Sequence, residues 1–132
     1  MKKLLMVMFV ATMVLASCSK ESRLNRKLDG TWDVVSYGTY TPASMELTAF
    51  NIAFSKDKKG VGSYTTTMTS AAGTETGTGT YVLTDDTKIT MTSTPVAGYT
   101  STPDVNTITD YSKTDLTLTD ADGVVIVLKK KK

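Results

Sequence analysis

Few side chains in this chain could do chemistry. Its 132 residues include no histidine and one cysteine, Cys18. Without histidine, the usual general base and the commonest metal ligand are both missing. Carboxylate pairs occur at 85–86 and at 120 and 122, but both lie at predicted hairpin turns, where aspartate bonds its own backbone. Neither has the spaced oxygen ligands of a calcium loop. We therefore predict that the chain is not an enzyme and has no metal or cofactor site.

Cys18 follows a segment that differs from the rest of the chain. Lys2 and Lys3 precede an apolar run over residues 4–15, and Ala16 and Ser17 come next. A basic start, an apolar stretch and a small-residue cleavage site are typical of a secretory signal peptide. The run is shorter than the about 20 residues that a membrane span needs. We predict a signal peptide over residues 1–17.

The residues Leu15-Ala16-Ser17-Cys18 resemble a bacterial lipobox. The resemblance implies that the thiol of Cys18 receives a diacylglycerol and that the chain is cut just before it. Cysteine suits this reaction because its thiolate is a good nucleophile. The alternative is an inert cysteine in an ordinary signal peptide. The lipobox implies a lipoprotein of the bacterial cell envelope, held in the outer membrane by fatty acyl chains such as palmitate, on a face that the sequence leaves open.

The charge balance argues against nucleic-acid binding. Of the 15 lysine and arginine residues, Lys2 and Lys3 fall in the signal segment, which leaves 13 basic residues against 13 acidic ones. Nucleic-acid binding needs a clear basic excess on one face. The closing run of lysines could meet anionic lipid, although such a run is more often a frayed end. We expect a monomer whose partners are the membrane and a small apolar ligand.

The mature segment is predicted to be one all-β domain behind a linker. It contains most of the 25 threonines, which are β-branched and favour strands. Residues 18–28 are polar and charged, so we interpret them as the lipidated cysteine and a tether, with a helical turn at its end. Residues 29–132 form the domain. Turn signals separate eight predicted strands, at 31–37, 46–54, 61–69, 74–83, 88–92, 104–111, 115–119 and 124–129.

Eight short strands joined mainly by tight turns favour an antiparallel up-and-down β-barrel, which has no free edges. A two-sheet sandwich is the competing architecture. The segment 74–81 places threonine on one face and glycine on the other. Glycine within a strand marks a bend or a close backbone approach, and strongly curved barrel strands need such points. This pattern favours the barrel.

Two segments resemble lipocalins and their bacterial lipocalin-like relatives. Gly30-Thr31-Trp32, after Leu28, resembles the G-x-W motif that opens the first lipocalin strand. Residues 105–130 resemble the C-terminal half of lipocalin-like lipoproteins. The matching positions there are Ile108, Leu116, Leu118 and 124–128.

The resemblance implies that Gly30 and Trp32 are structural and that Trp32 packs across the closed end of the barrel. A cationic side chain of the last strand often covers this tryptophan. Here no arginine lies near the C-terminus, so Lys129 or Lys130 would take that place, although lysine stacks less well on an aromatic ring.

Two functions remain open at the sequence level. The resemblance implies a barrel that binds a small apolar or amphipathic molecule. The alternative is a packed, non-enzymatic structural or interaction module that contacts an envelope protein or glycan, for example through the loop 93–103.

If the barrel binds a ligand, its mouth should lie away from Trp32. The best rim pair is Phe50 and Met68, because an aromatic face and a flexible thioether suit an apolar guest. Ile52 and Tyr64 are further candidates for the inner wall.

Overall fold

The computed structural model describes residues 19–132, which form one α-helix, one short 3₁₀ helix and eight strands in a closed antiparallel barrel. Each strand pairs with the next in sequence, and the last closes the barrel by pairing with the first. The barrel prediction is confirmed, and the sandwich is excluded because the sheet has no free edge. The elements are α1 (Lys20–Leu28), β1 (Gly30–Tyr37), β2 (Leu47–Lys56), β3 (Val61–Ser70), β4 (Gly73–Thr84), β5 (Lys88–Ser93), β6 (Asp104–Tyr111), β7 (Asp115–Thr119) and β8 (Val125–Lys130).

The inward side chains of all eight strands fill the barrel and form its core. Successive strand residues point to opposite faces, so threonines cover much of the outside while apolar residues meet inside. The buried apolar set is Leu24, Leu28, Trp32, Val34, Ile52, Phe54, Tyr64, Tyr81, Leu83, Ile89, Leu116, Leu118 and Leu128. These residues and the helix and strands that carry them lie within 19–132, the part of the chain that the structure describes.

Inward glycines make room for two tyrosine rings. A Cβ on Gly79 would lie 2.6 Å from the ring of Tyr64, and a Cβ on Gly62 would lie 2.6 Å from the hydroxyl of Tyr81. In each pair, the glycine lies directly opposite the tyrosine on the neighbouring strand. The expectation that glycine in 74–81 marks a close approach is confirmed at Gly79, where the approaching group is an aromatic side chain.

Residues 20–28 are not a tether, and the linker interpretation is wrong. They form α1, which begins behind an N-cap at Ser19, whose hydroxyl accepts from the amide of Ser22. Glu21 lies in the first turn and basic residues lie in the last, as the helix dipole favours. Leu24 and Leu28, one turn apart, are buried in the barrel core. Burial of this apolar stripe explains why a mainly charged segment folds.

The predicted signal peptide and Cys18 lie outside the described residues. Within 19–132, no helix has the length and apolarity needed to cross a membrane.

Candidate functional site at the barrel mouth

The two ends of the barrel differ in what covers them. Helix α1 and the β2–β3, β4–β5 and β6–β7 turns lie at one end, which we call the helix end. The β1–β2, β3–β4, β5–β6 and β7–β8 connections lie at the opposite end, which we call the mouth. Trp32 lies near the start of β1 at the helix end, so it is at the end opposite the mouth.

Trp32 and the last strand hold the helix end together. The Trp32 side chain is 1% exposed, and its Nε1 donates to the carbonyl of Leu28 at 2.7 Å. The ammonium of Lys130 lies 5.2 Å from the centroid of the Trp32 ring, so Lys130 is the cation that covers the tryptophan. Lys130 Nζ also donates to the carbonyls of Lys27 and Asp29, where α1 ends.

Position 30 requires glycine, because the side chain of Lys130 passes close to its backbone. Its φ is +122°, which favours glycine. A Cβ at this position would lie 2.9 Å from Cε of Lys130. Gly30 and Trp32 are therefore structural residues of the helix end.

The rim pair predicted from sequence comes together in the structure. Phe50 on β2 and Met68 on β3 are directly paired across the strands, and both side chains are half-buried. Phe50 packs against the edge of the core, as do Met91 on β5 and Ile126 on β8. These residues come from the mouth halves of their strands, so half-buried apolar side chains lie on the inner face near the mouth.

Ile52 and Tyr64 lie deeper than the rim pair. Ile52 is paired with Trp32 on one side, and Tyr64 is paired with Phe54. The rings of Phe54 and Tyr64 lie 6.5 Å apart, and both residues are buried. The structure therefore places Ile52 and Tyr64 in the packed core beneath the mouth.

Two polar residues of β6 share this inner face. Asn106 is paired with Ile89, and Asp104 is paired with Met91. Asn106 is 2% exposed, and its Oδ1 has no hydrogen-bond partner among the described residues. Sequence reasoning missed Asn106, although its alternation with Ile108 places both on one face.

The mouth carries negative charge and the helix end carries the positive charge. Every lysine and arginine within 19–132 lies in α1, in a helix-end turn, or near a helix-end strand terminus. No basic residue of this segment lies at the mouth. The carboxylates at the mouth are Glu46, Glu75, Asp104, Asp120 and Asp122.

The pKa values of two tyrosines reflect this acidic mouth. Burial raises the pKa of Tyr64, and the charge of Asp104 raises it further. Burial also raises the pKa of Tyr37, with Asp120, Asp104 and Asp122 adding to the effect. Asp104 therefore contributes to the raised pKa of one tyrosine on β3 and one on β1.

Two surface clefts border the mouth. One, of about 380 Å³, lies between the short 3₁₀ helix Ala43–Met45 and the β3–β4 hairpin, and both Met68 and Glu75 line it. The other, of about 240 Å³, is formed within the β5–β6 loop. There Val96 and Tyr99 are 70% and 78% exposed.

The chain resembles two solved bacterial proteins in fold. A lipocalin-like protein from Bacteroides uniformis superimposes with a TM-score of 0.59 at 19% identity, over 80% of this chain and 99% of that chain. An uncharacterized protein from Bacteroides eggerthii superimposes with a TM-score of 0.56 at 17% identity, over 79% and 99% of the respective chains.

A redesigned β-barrel, mFAP1, bound to DFHBI, is also similar. It has a TM-score of 0.52 at 22% identity, over 84% of this chain and 100% of that chain. No protein-family model matches the chain, and no curated protein matches it. The structural similarities show that the chain has a lipocalin-like barrel fold.

Proposed function

From its lipocalin-like fold, we propose that this protein binds a small apolar or amphipathic molecule at the mouth, without enzymatic activity. The observation that carries the proposal is the contrast between the two halves of the barrel. Near the helix end, Trp32, Tyr81 and Leu128 are fully buried. Near the mouth, Phe50 and Met91 remain half-buried on the inner wall. Apolar surface that the fold leaves partly uncovered is typical of a binding site.

A neutral, environment-sensitive apolar fluorophore titrated into residues 19–132 tests the proposal. We expect saturable binding, and we expect Phe50→Ala with Met68→Ala to weaken it by about tenfold or more, because burial of such side chains contributes on the order of 2 kcal/mol each. Val82→Ala, on the exposed outer face of β4, is the matched control and should leave the affinity unchanged. If no apolar probe binds saturably to the wild type, the ligand-binding proposal is wrong.

We further propose that Cys18 anchors the protein in a bacterial envelope membrane, in the outer membrane, and that the helix end faces the lipid. Only Ser19 separates Cys18 from α1, so an acylated Cys18 would hold the barrel close to the bilayer surface. Lys20, Arg23, Arg26 and Lys27 line a cleft of about 390 Å³ at this end. Basic side chains near a membrane are attracted to anionic head groups by about 1 kcal/mol each. The mouth would then point away from the membrane.

A second candidate function rests on the β5–β6 loop. The exposed side chains of Val96 and Tyr99 form apolar surface beside a small cleft, which suits contact with an envelope protein or glycan. Replacement of both residues by serine should abolish such contact while leaving apolar-probe binding at the mouth intact.

A further inference from the structure

Asn106 is a buried polar residue whose oxygen meets no donor. Its side chain is 2% exposed on the inner face of β6, and Oδ1 accepts no hydrogen bond from the described residues. Such an oxygen is costly to bury without a partner, and in native proteins it calls for a specific explanation. A donor supplied by a bound molecule is one such explanation, because Asn106 is buried only two residues from the mouth end of β6.

Asp104 lies two residues nearer the mouth on the same face of β6, about 7 Å along the strand. It is paired with Met91, which packs against the core edge. Burial raises the pKa values of Tyr64 and Tyr37, and the charge of this carboxylate adds to both effects. No lysine or arginine of residues 19–132 lies at the mouth to neutralise it.

The same inner wall supplies apolar surface for the rest of a guest. Phe50 and Met68 form a directly paired aromatic and thioether surface, and Met91 lies beside Asp104. Within 19–132, no three carboxylate, cysteine or histidine side chains come together to hold a metal ion. The site therefore suits an organic cation with an apolar body better than a divalent metal.

We propose that the mouth binds an amphipathic amine, whose apolar chain lies against Phe50 and Met68 and whose nitrogen end meets Asp104 and Asn106. The cationic nitrogen faces the Asp104 carboxylate, and an N–H or neighbouring hydroxyl of the ligand donates to Oδ1 of Asn106. This inference rests on the proposed function, in which the mouth binds an apolar or amphipathic molecule. It adds that the polar end of this molecule is positively charged.

Competition between three ten-carbon ligands tests the inference. The assay measures how well decylamine, decanol and decanoate each displace a neutral apolar fluorophore from residues 19–132 at pH 7 and low salt. We expect decylamine to compete about tenfold better than decanol, because one charge-assisted contact at a partly exposed site contributes about that much affinity. We expect decanoate to compete worst. Asp104→Asn should remove the advantage of decylamine and leave decanol unchanged. Asn106→Leu should also reduce that advantage, whereas Asp110→Asn, on the outer face of β6, should have no effect.

The possible outcomes distinguish a failure of the amine inference from a failure of the proposed function. If the fluorophore binds but decylamine and decanol compete equally, or decanoate competes best, the mouth binds apolar guests and the amine inference is wrong. If calcium ions displace the fluorophore and decylamine does not, the acidic rim is a metal site and the inference is likewise wrong. If the fluorophore does not bind saturably, the proposed function fails as well.

Discussion

The hydroxyl of Tyr81 donates to Oδ1 of Asn25 across 2.5 Å, joining β4 to helix α1 in the buried helix end. The Asn25 amide nitrogen in turn donates to the carbonyl of Lys58 in the β2–β3 turn and to that of Val61 at the start of β3. One asparagine thus connects the helix to two parts of the barrel wall. Buried polar networks of this kind are stabilising when every member has a partner, so α1 is an integral part of the fold.

Removal of the Tyr81 hydroxyl tests this connection. Tyr81→Phe leaves Oδ1 of Asn25 buried without its donor, and we expect the free energy of unfolding to fall by about 1–3 kcal/mol. Urea unfolding of residues 19–132 measures the change. Tyr99→Phe, at an exposed loop position, is the matched control. A loss for Tyr81→Phe no larger than that of the control would contradict the network.

The same hydroxyl predicts a dependence of stability on alkaline pH. Burial raises the pKa of Tyr81 from 10.0 to about 12, with Asp29 adding to the effect. The folded protein therefore keeps this proton where the unfolded chain loses it. The stabilisation is complete below pH 10 and is lost as the pH rises towards about 12. The wild type should therefore lose more stability than Tyr81→Phe between pH 10 and about 12. The variant should keep part of the pH dependence, because Tyr37, Tyr64 and Tyr111 also have raised pKa values.

Trp32 is predicted to be a major source of stability. Trp32→Ala should lower the free energy of unfolding by about 3–5 kcal/mol, as truncations of large buried aromatic residues do. Trp32→Phe keeps part of the ring but loses the hydrogen bond to Leu28, so its loss should be smaller. Chemical unfolding of both variants checks the order. A loss below about 1 kcal/mol for Trp32→Ala would show that this residue does not close the barrel.

Lys130 is predicted to stabilise the end of α1. Lys130→Met keeps the aliphatic stem but removes the donor to the carbonyls of Lys27 and Asp29, and we expect a loss of about 1–2 kcal/mol. Lys129→Met, on the outer face of β8, is the control and should change stability by less than about 0.5 kcal/mol. Equal effects of the two substitutions would mean that Lys130 acts only through net charge.

The anchor proposal predicts the fate of a variant without the thiol. Cys18→Ala cannot receive the diacylglycerol, so the protein should stay uncleaved or be released from the membrane. Mass spectrometry and fractionation of wild type and variant, expressed in a bacterial host, measure this outcome. A processed Cys18→Ala protein that still fractionates with membrane would contradict the lipoprotein proposal.

The strands were predictable from sequence to within two residues, because turn residues bound each strand and apolar residues alternate along it. Bulges were not predictable, since the register shifts at Leu47/Ala49 and at Ile108/Asp110 depend on tertiary pairing. Helix α1 was misread as a linker because most of its side chains are charged. Its two buried leucines, one turn apart, were the available signal.

The candidate site was predictable in part. Strand direction and alternation placed Phe50 and Met68 together near the mouth, and the structure pairs them directly. Asn106 could not be singled out, since an isolated asparagine in a strand gives no sign of whether a partner reaches it. The lack of a partner is visible only once the neighbouring strands are in place.

The central claim, that the mouth takes an apolar guest, is tested most directly by NMR of residues 19–132 labelled with ¹³C in the methionine methyl groups. This segment contains only Met45, Met68 and Met91, and the Trp32 indole N–H reports on the opposite end. On titration with decanol, we predict that the Met68 and Met91 methyl resonances shift saturably with one dissociation constant, while the indole resonance stays in place. Shifts that grow linearly without saturation, or a response confined to Trp32, would contradict the claim.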